Sequence, residues 1–291
     1  MSDTRDLTRK FIFEQADIRG EVVHLDKAYR EILDIHQYAP GVGRLLGEFL
    51  AASVLLSTTI KFEGRLILQA QSQGQIPLLM AECSNELAVR AIARGAEQAT
   101  ATEFSSLLRD GQLAITIEPL EGQRYQGIVP LDGGSLAACI ESYFENSEQL
   151  ATRLWLASNG ETCAGLLLQQ LPEQVTHDAG AREQQWQNVC VLAETVQTTE
   201  VLELEQETLL YHLFNEEQVR LFDGHRVQFA CSCSRERCHR ALLSIGSSDL
   251  VELLEEEEDI VMDCEFCNQQ YQFTRQDFAE QLGQLSPGSV H

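Results

Sequence analysis

The sequence has little positive charge. Only three of its 291 residues are lysines, and its 21 lysines and arginines stand against 45 aspartates and glutamates, for a formal net charge of −24. A phosphate backbone repels such a chain unless a basic patch compensates, and the arginines form no such patch. An anionic membrane surface is disfavoured for the same reason. We therefore expect no nucleic-acid partner and no membrane partner.

Long apolar runs and targeting signals are also scarce. The longest uncharged apolar run covers residues 49–60, about half of the roughly 20 residues that a membrane-spanning helix needs. The first twenty residues scatter charges of both signs where a secretory signal needs an apolar segment. These two features predict a cytoplasmic protein.

Cysteine, in contrast, is abundant. The chain has nine cysteines, an odd number, and five of them lie in the last 61 residues. In a reducing compartment we expect them to be free thiols, metal ligands or transient redox groups rather than permanent disulfides. The nine are Cys83, Cys139, Cys163, Cys190, Cys231, Cys233, Cys238, Cys264 and Cys267.

The hydrophobic pattern of the first 172 residues predicts a mixed α and β body. Apolar side chains at helical spacing follow Gly43 and predict a helix that Gly64 ends. Alternating apolar residues predict a hairpin over 65–82 that turns near Gln73 and Gly74. Further alternating segments, without a regular βαβ order, favour an α+β fold; they cover 112–118, 153–157 and 165–168.

The middle of the chain is acidic and helical. Residues 173–220 contain ten acids and only two arginines. Apolar stripes predict helices over 183–197 and 202–214, whose other faces are rich in Glu and Gln. Such helices gain most of their stability from docking on a neighbour. They fit a pair of solvated surface helices, and they also fit a segment poised near unfolding.

Four cysteines near the C-terminal end form two tight pairs. Cys231 and Cys233 are separated by one residue, and Cys264 and Cys267 follow after thirty residues, between two strand-like runs. Two such pairs can offer four thiolates in a tetrahedron, the arrangement of a structural zinc site. Four buried apolar cysteines are disfavoured because polar residues surround all of them. A thioredoxin-like site is disfavoured because no βαβ pattern flanks the second pair.

The same spacing permits redox chemistry. Without metal, each pair can close a small, reversible disulfide ring. Arg235, Arg237 and Arg240 flank the first pair and are expected to favour the thiolate, the oxidisable form. The site therefore has two possible states, one metal-bound and reduced, the other metal-free with two disulfides. Spacing alone favours a static zinc site over a switch.

Several motifs resemble those of the redox-regulated 33 kDa bacterial heat-shock chaperones. The most specific are CSCSRERC at 231–238 and CEFC at 264–267. Long stretches of the body match as well, at 43–74, 122–131 and 215–233. The resemblance covers essentially the whole chain, and with it the redox switch becomes favoured over static zinc.

The resemblance implies an ATP-independent holdase activated by oxidants. One Zn²⁺ per chain would be bound in the reduced, inactive state by Cys231, Cys233, Cys264 and Cys267. Oxidation would form the disulfides Cys231–Cys233 and Cys264–Cys267, release zinc and unfold the linker. The active protein would form a homodimer and bind unfolding client proteins.

Together with the segmentation, the resemblance predicts three parts. Residues 1–175 would form an N-terminal α+β domain for dimerisation and client binding. Residues 176–226 would form a metastable helical linker, and residues 227–291 a small zinc-binding redox-switch domain. Cys238 and the adjacent His239 are a fifth and a sixth candidate ligand, but the resemblance assigns the metal to the other four cysteines. We therefore expect Cys238 to be a bystander with an activated thiol, and Cys139 to lie in the core, on a helix.

Two other functions compete with this one. A thiol–disulfide oxidoreductase would use Cys264 and Cys267, but the sequence places no general acid or base near them. A zinc ribbon that binds nucleic acid is disfavoured by the net charge of −24. We therefore expect a protein that is not an enzyme.

Overall fold

The computed structural model describes residues 5–60, 63–256 and 259–279, and it separates the chain into two units, Met1–Ala230 and Cys231–His291. The first unit is α+β, as predicted. Its strands are β1 (Leu7–Phe13), β2 (Ile18–Leu25), β3 (Gly64–Gln71), β4 (Leu78–Ser84), β5 (Ala88–Arg94), β6 (Gln112–Pro119), β7 (Tyr125–Pro130), β8 (Thr152–Ser158), β9 (Cys163–Gln170), β10 (Val219–Leu221), β11 (His225–Arg226) and β12 (Gln228–Phe229). Its helices are α1 (Lys27–Leu33), α2 (Pro40–Thr59), α3 (Phe104–Leu107), α4 (Leu136–Tyr143), α5 (Ala179–Ala193), α6 (Thr198–Glu203) and α7 (Gln206–Phe214), with a π-helical turn at Phe144–Glu148.

These strands form two six-stranded sheets. The first has the order β10-β1-β2-β9-β8, with β11 also pairing with β1. The second has the order β12-β5-β4-β3-β6-β7. All of the paired strands run antiparallel except β12, which runs parallel to β5. The last residues before Cys231 are thus tied to the second sheet through a two-residue strand.

Helix α2 contacts strands of both sheets. It packs on β2, β8 and β9 of the first and on β3, β4 and β5 of the second. Within the described residues it is the one helix long and apolar enough to cross a bilayer, and 83% of its apolar window is buried inside the protein. Its apolar side chains form the centre of the largest core.

The predicted strands of the body are confirmed. β3 and β4 form the expected antiparallel hairpin, and 112–118 lies within β6. The segments at 153–157 and 165–168 lie in β8 and β9, which pair with each other. The sequence analysis had proposed no strand at β1 or β2.

The predicted end of α2 at Gly64 is wrong. The helix ends at Thr59, because the next residue, Ile60, is extended (φ −113°, ψ +138°). Gly64 instead begins β3 with a φ of +147°, and a Cβ there would overlap the Glu118 carbonyl. Lys61 and Phe62 lie outside the described residues.

The acidic helices pack on the outer face of the first sheet. The stripes predicted from sequence are buried there against apolar residues of β1, β2 and β9. The segment predicted as one helix over 202–214 is two, because Leu204 and Glu205 are extended. The break allows the buried Gln206 side chain to donate to the Leu7 carbonyl at 3.0 Å. The buried residues of α5 and α7 are Trp186, Val189, Cys190, Ala193, Gln206, Leu209, Leu210, Leu213 and Phe214.

The second unit is small. The strand-like runs predicted on either side of the second cysteine pair are confirmed as an antiparallel hairpin, and Thr274 caps the next helix through a reciprocal bond with Asp277. The sequence itself predicts this cap, followed by a helix over 278–285; residues 280–285 of that helix lie outside the described residues. The elements are α8 (Arg235–Ser244), α9 (Ser247–Glu256), β13 (Asp259–Asp263), β14 (Gln270–Thr274) and a 3₁₀ turn at Arg275–Phe278. Their core is Leu242, Leu250, Leu254, Ile260, Phe273 and Phe278.

Candidate metal centre

Two loops bring the four predicted cysteines together. Cys231 and Cys233 lie just before α8, and Cys264 and Cys267 lie in the turn between β13 and β14. Backbone bonds shape this turn: the amides of Cys267 and Asn268 donate to the Cys264 carbonyl at 3.1 and 2.7 Å. Asn268 adopts the left-handed conformation, with a φ of +54°, which Asn tolerates better than most residues. The second pair is therefore held on one short loop.

The four sulfur atoms form one compact group. Cys231 Sγ lies 3.6 Å from Cys264 Sγ, and Cys233 Sγ lies 3.4 Å from Cys267 Sγ. All four sulfurs lie within 4.8 Å of one another. Tetrahedral zinc with Zn–S bonds of about 2.3 Å would separate its sulfurs by about 3.8 Å. The donor set and its spacing therefore fit a metal ion bound by four thiolates.

Charge gives a second reason to expect a cation here. Burial raises the pKa of the Cys264 thiol, and burial together with the neighbouring thiols raises that of Cys267. Amides partly oppose this, since Phe266 N–H lowers the pKa of Cys264 and Gln269 N–H lowers that of Cys267. Four thiolates this close repel one another unless a cation neutralises them.

A tyrosine that the sequence analysis missed also contacts the cluster. The Tyr271 hydroxyl donates to Cys233 Sγ at 3.1 Å. Tyr271 lies on β14 and packs against the small core of the second unit. The alternation of the QYQFT run places Tyr271 on the same side of the strand as Phe273, which was the available sequence signal.

Two of the three arginines near the first pair, Arg235 and Arg237, have other partners. Arg235 donates to the Gln272 carbonyl and to Asp277, and its guanidinium lies 4.5 Å from the centre of the Phe273 ring. Arg237 donates to the carbonyl and hydroxyl oxygens of Ser232 at 2.7 and 2.8 Å. These hydrogen bonds stabilise the loop and the start of α8; their acceptors are oxygen atoms rather than the cysteine sulfurs.

The expectation of an activated thiol at Cys238 is wrong. Burial, and next the proximity of Cys233 and Cys231, raise the pKa of Cys238 above its ordinary value. The neighbouring His239 is also occupied, since its Nε2 lies 2.9 Å from the Asp277 carbonyl oxygen and its ring stacks on Phe278. The structure therefore places neither residue among the four clustered sulfurs.

The other four cysteines are buried in the first unit. The predicted core position of Cys139 on a helix is confirmed, in α4. Burial raises the pKa of Cys83 and Cys190 to about 12, and it raises that of Cys163 strongly. Buried thiols of this kind are structural rather than reactive.

Comparison with known proteins gives a consistent family. A family model described as Hsp33 protein matches residues 6–274. The 33 kDa chaperonin of Pseudomonas aeruginosa strain UCBPP-PA14 is 49% identical over 278 residues, 94% of each chain. That of Azotobacter vinelandii is 50% identical over 283 residues, 96% of this chain and 95% of the relative.

The fold agrees with this result. The crystal structure of the 33 kDa chaperonin, a heat shock protein 33 homolog, from Thermotoga maritima superposes with a TM-score of 0.80. It covers 98% of this chain and 100% of its own, at 18% identity. The family match spans most of the sequence, and relatives that are half identical cover nearly all of it. The chain therefore belongs to the Hsp33 family of chaperones.

Proposed function

We propose that this chaperone is an ATP-independent holdase controlled by thiol oxidation. In the reduced state Cys231, Cys233, Cys264 and Cys267 hold one Zn²⁺, and the protein is inactive. The observation that supports this most strongly is the group of four sulfurs within 4.8 Å of one another. Residues 1–175, 176–226 and 227–291 act as the body, the linker and the redox switch.

Zinc would supply much of the stability of the second unit. Among the described residues of this unit, six apolar side chains form the buried core, fewer than a domain usually needs to fold alone. Structural zinc contributes on the order of 10–16 kcal/mol of apparent binding free energy in small domains. Loss of the ion should therefore unfold residues 231–279.

Oxidation provides a route to that loss. Two thiolates of one pair give two electrons to one peroxide molecule; the O–O bond breaks, an S–S bond forms and two hydroxide ions leave. A disulfide sulfur is a poor metal ligand, because the thiolate is the form that binds. We propose the pairs Cys231–Cys233 and Cys264–Cys267, since short chain spacing favours ring closure.

Unfolding of residues 231–279 would then spread to the linker, because the two segments follow each other closely in the chain. The short strands β10, β11 and β12 are the last ordered elements before Cys231. The acidic helices that precede these strands in the chain are held by their apolar face, which packs against the first sheet. Their release would expose Trp186, Leu209 and Leu210 together with the sheet face they cover, an apolar surface suited to unfolding clients. The active form is proposed to be a homodimer and to act in the cytoplasm.

One experiment tests the proposal. Zinc release is followed with a chromogenic chelator, apolar exposure with a dye, and protection with an aggregating test protein, before and after peroxide. We expect about one zinc per chain to leave as dye binding and protection rise, without ATP. An oxidised protein that retains zinc or protects no client contradicts the proposal; zinc that stays in place would indicate a static structural ion.

Peptide mapping of the oxidised protein tests the pairing. We expect disulfides within each motif. The close sulfur contacts join the two motifs, at 3.6 Å for Cys231 and Cys264 and at 3.4 Å for Cys233 and Cys267. Cross-linked peptides with those two pairs would overturn the proposed pairing and leave zinc release intact.

A further inference from the structure

Hydrogen-bond donors from the second cysteine hairpin contact the clustered sulfurs. Cys264 accepts from the Phe266 amide and Cys267 from the Gln269 amide. Cys233 accepts from the Tyr271 hydroxyl at 3.1 Å. The first two donors belong to the backbone of the turn itself. The donor to Cys233 is instead a side chain. It lies on β14, in the hairpin that carries the second cysteine pair, and it donates to a cysteine of the first pair.

The position of Tyr271 is fixed by its strand. It lies opposite Met262 in the register of β13 and β14, and both side chains pack against the small core. The flanking Gln270 and Gln272 point away and are exposed. The ring is thus anchored in apolar contacts while the hydroxyl faces the sulfur.

We propose that Tyr271 is a positioning residue of the redox switch, whose hydroxyl tightens metal binding and slows oxidation of the Cys231–Cys233 pair. This inference rests on the proposed function. Partners that hydrogen-bond to metal ligands orient them, and their loss typically lowers metal affinity by 10–100-fold.

The rate effect follows from the same bond. A sulfur that accepts a hydrogen bond has less electron density available for attack on peroxide. In that attack a thiolate displaces hydroxide from the O–O bond and becomes a sulfenic acid, which the second thiolate converts to the disulfide with release of a second hydroxide. Removing the Tyr271 hydroxyl should therefore increase the rate at which Cys231 and Cys233 are oxidised.

The variant Tyr271→Phe tests this with little disturbance. It keeps the ring in the core and deletes only the hydroxyl. The matched control is Tyr211→Phe, since Tyr211 lies on α7 and is 69% exposed. We measure zinc affinity by chelator competition, the absorption of the cobalt-substituted protein in its sulfur-to-metal bands, and the rate of zinc release at fixed peroxide.

We expect Tyr271→Phe to bind zinc about 10-fold more weakly, to shift the cobalt charge-transfer bands, and to release zinc several-fold faster under peroxide. Tyr211→Phe should match the unmodified protein in all three. Equal affinity, equal spectra and equal release rates in Tyr271→Phe would overturn the inference. A reduced unmodified protein without zinc would instead refute the proposed function, so the two failures are distinguishable.

Discussion

At the residue scale, Asp17 shows how one carboxylate fixes the start of the acidic helical segment. Its Oδ1 accepts from the amides of Gln174 and Val175 at 3.1 and 2.8 Å, and its Oδ2 from that of Thr176 at 3.2 Å. Burial raises the pKa of Asp17, but these bonds, with help from Arg182, outweigh it and hold the pKa below its ordinary value. The ionised carboxylate therefore anchors the chain where it leaves β9.

We predict that Asp17→Asn loosens this anchor. The substitution keeps the size but replaces one acceptor oxygen by an amide donor that faces backbone N–H groups. We expect a local cost of about 1 kcal/mol, seen as faster amide exchange at 174–182 and dye binding at a lower peroxide dose. The control is Asp34→Asn, at an exposed helix end. Unchanged exchange at 174–182 would contradict this role.

The second residue-scale prediction concerns the ligand set. Cys231→Ser and Cys264→Ser should each abolish tight, stoichiometric zinc binding, because a hydroxyl cannot replace a thiolate in a four-sulfur site. Cys238→Ser is the matched control and should retain one zinc, since Cys238 lies outside the four-sulfur group. Chelator competition measures all three. High-affinity zinc in either ligand variant would refute the assignment.

At the element scale, α6 covers a histidine of the first sheet. His24 is 5% exposed, its Nε2 has no hydrogen-bond partner, and its ring contacts the Leu202 backbone. Burial, and next the charge of Arg5, lower the pKa of His24, while Asp26, Asp6 and a hydrogen bond with the Leu202 backbone act in the other direction. A protonated ring would place an incompletely paired charge beneath the helix.

The pH dependence of linker docking follows. An unfolded histidine binds its proton near pH 6.5, whereas the buried ring binds one only at lower pH. The unfolded state therefore takes up more protons between these values, and stability is present above about pH 6.5 and lost as the pH falls below it. We expect thermal unfolding of the reduced protein to shift to lower temperature between about pH 7 and pH 5.

In the variant His24→Leu, the unfolding temperature should change less between about pH 7 and pH 5. His212→Gln, at a half-exposed position on α7, serves as the control. Glu48, whose pKa burial raises to about 7, titrates in the same range with the opposite sign, but it is common to all three proteins. An equally steep pH dependence in His24→Leu would show that another group is responsible.

The sequence predicted elements with a strong local period and missed those that depend on distant partners. Helix α2 and the hairpin of β3 and β4 each have an apolar pattern that is complete within one continuous stretch of sequence. Strand β1 does not, because Arg9 and Lys10 interrupt its apolar residues, and its pairing with β2, β10 and β11 defines it. The division between α6 and α7 likewise depends on the distant contact of Gln206 with β1.

The same distinction applies to the metal centre. Spacing indicated the two cysteine pairs, because each pair is local in the sequence, and the family resemblance assigned the metal to these four residues. The hydroxyl of Tyr271 and the surroundings of Cys238 could not be obtained this way. Both depend on how the hairpin of the second unit packs against the loop before α8.

At the scale of the whole molecule, stability is unevenly distributed. The first unit has a large apolar core around α2, whereas the part of the second unit that the structure describes has a core of six buried apolar residues. Within the first unit, the acidic segment 173–220 contains ten acids and two arginines, and repulsion within it opposes docking on the first sheet. We therefore expect the two sheets to survive oxidation while the segments that follow β9 do not.

Amide hydrogen exchange of the full-length protein, reduced with zinc and oxidised with peroxide, tests this most directly. The account predicts that residues 231–279 and 179–214 lose protection together as zinc leaves, while β2, β3, β4 and β9 keep theirs. If the oxidised, zinc-free protein retained protection over 179–214 and 231–279, the coupling between the metal centre and the linker would be contradicted.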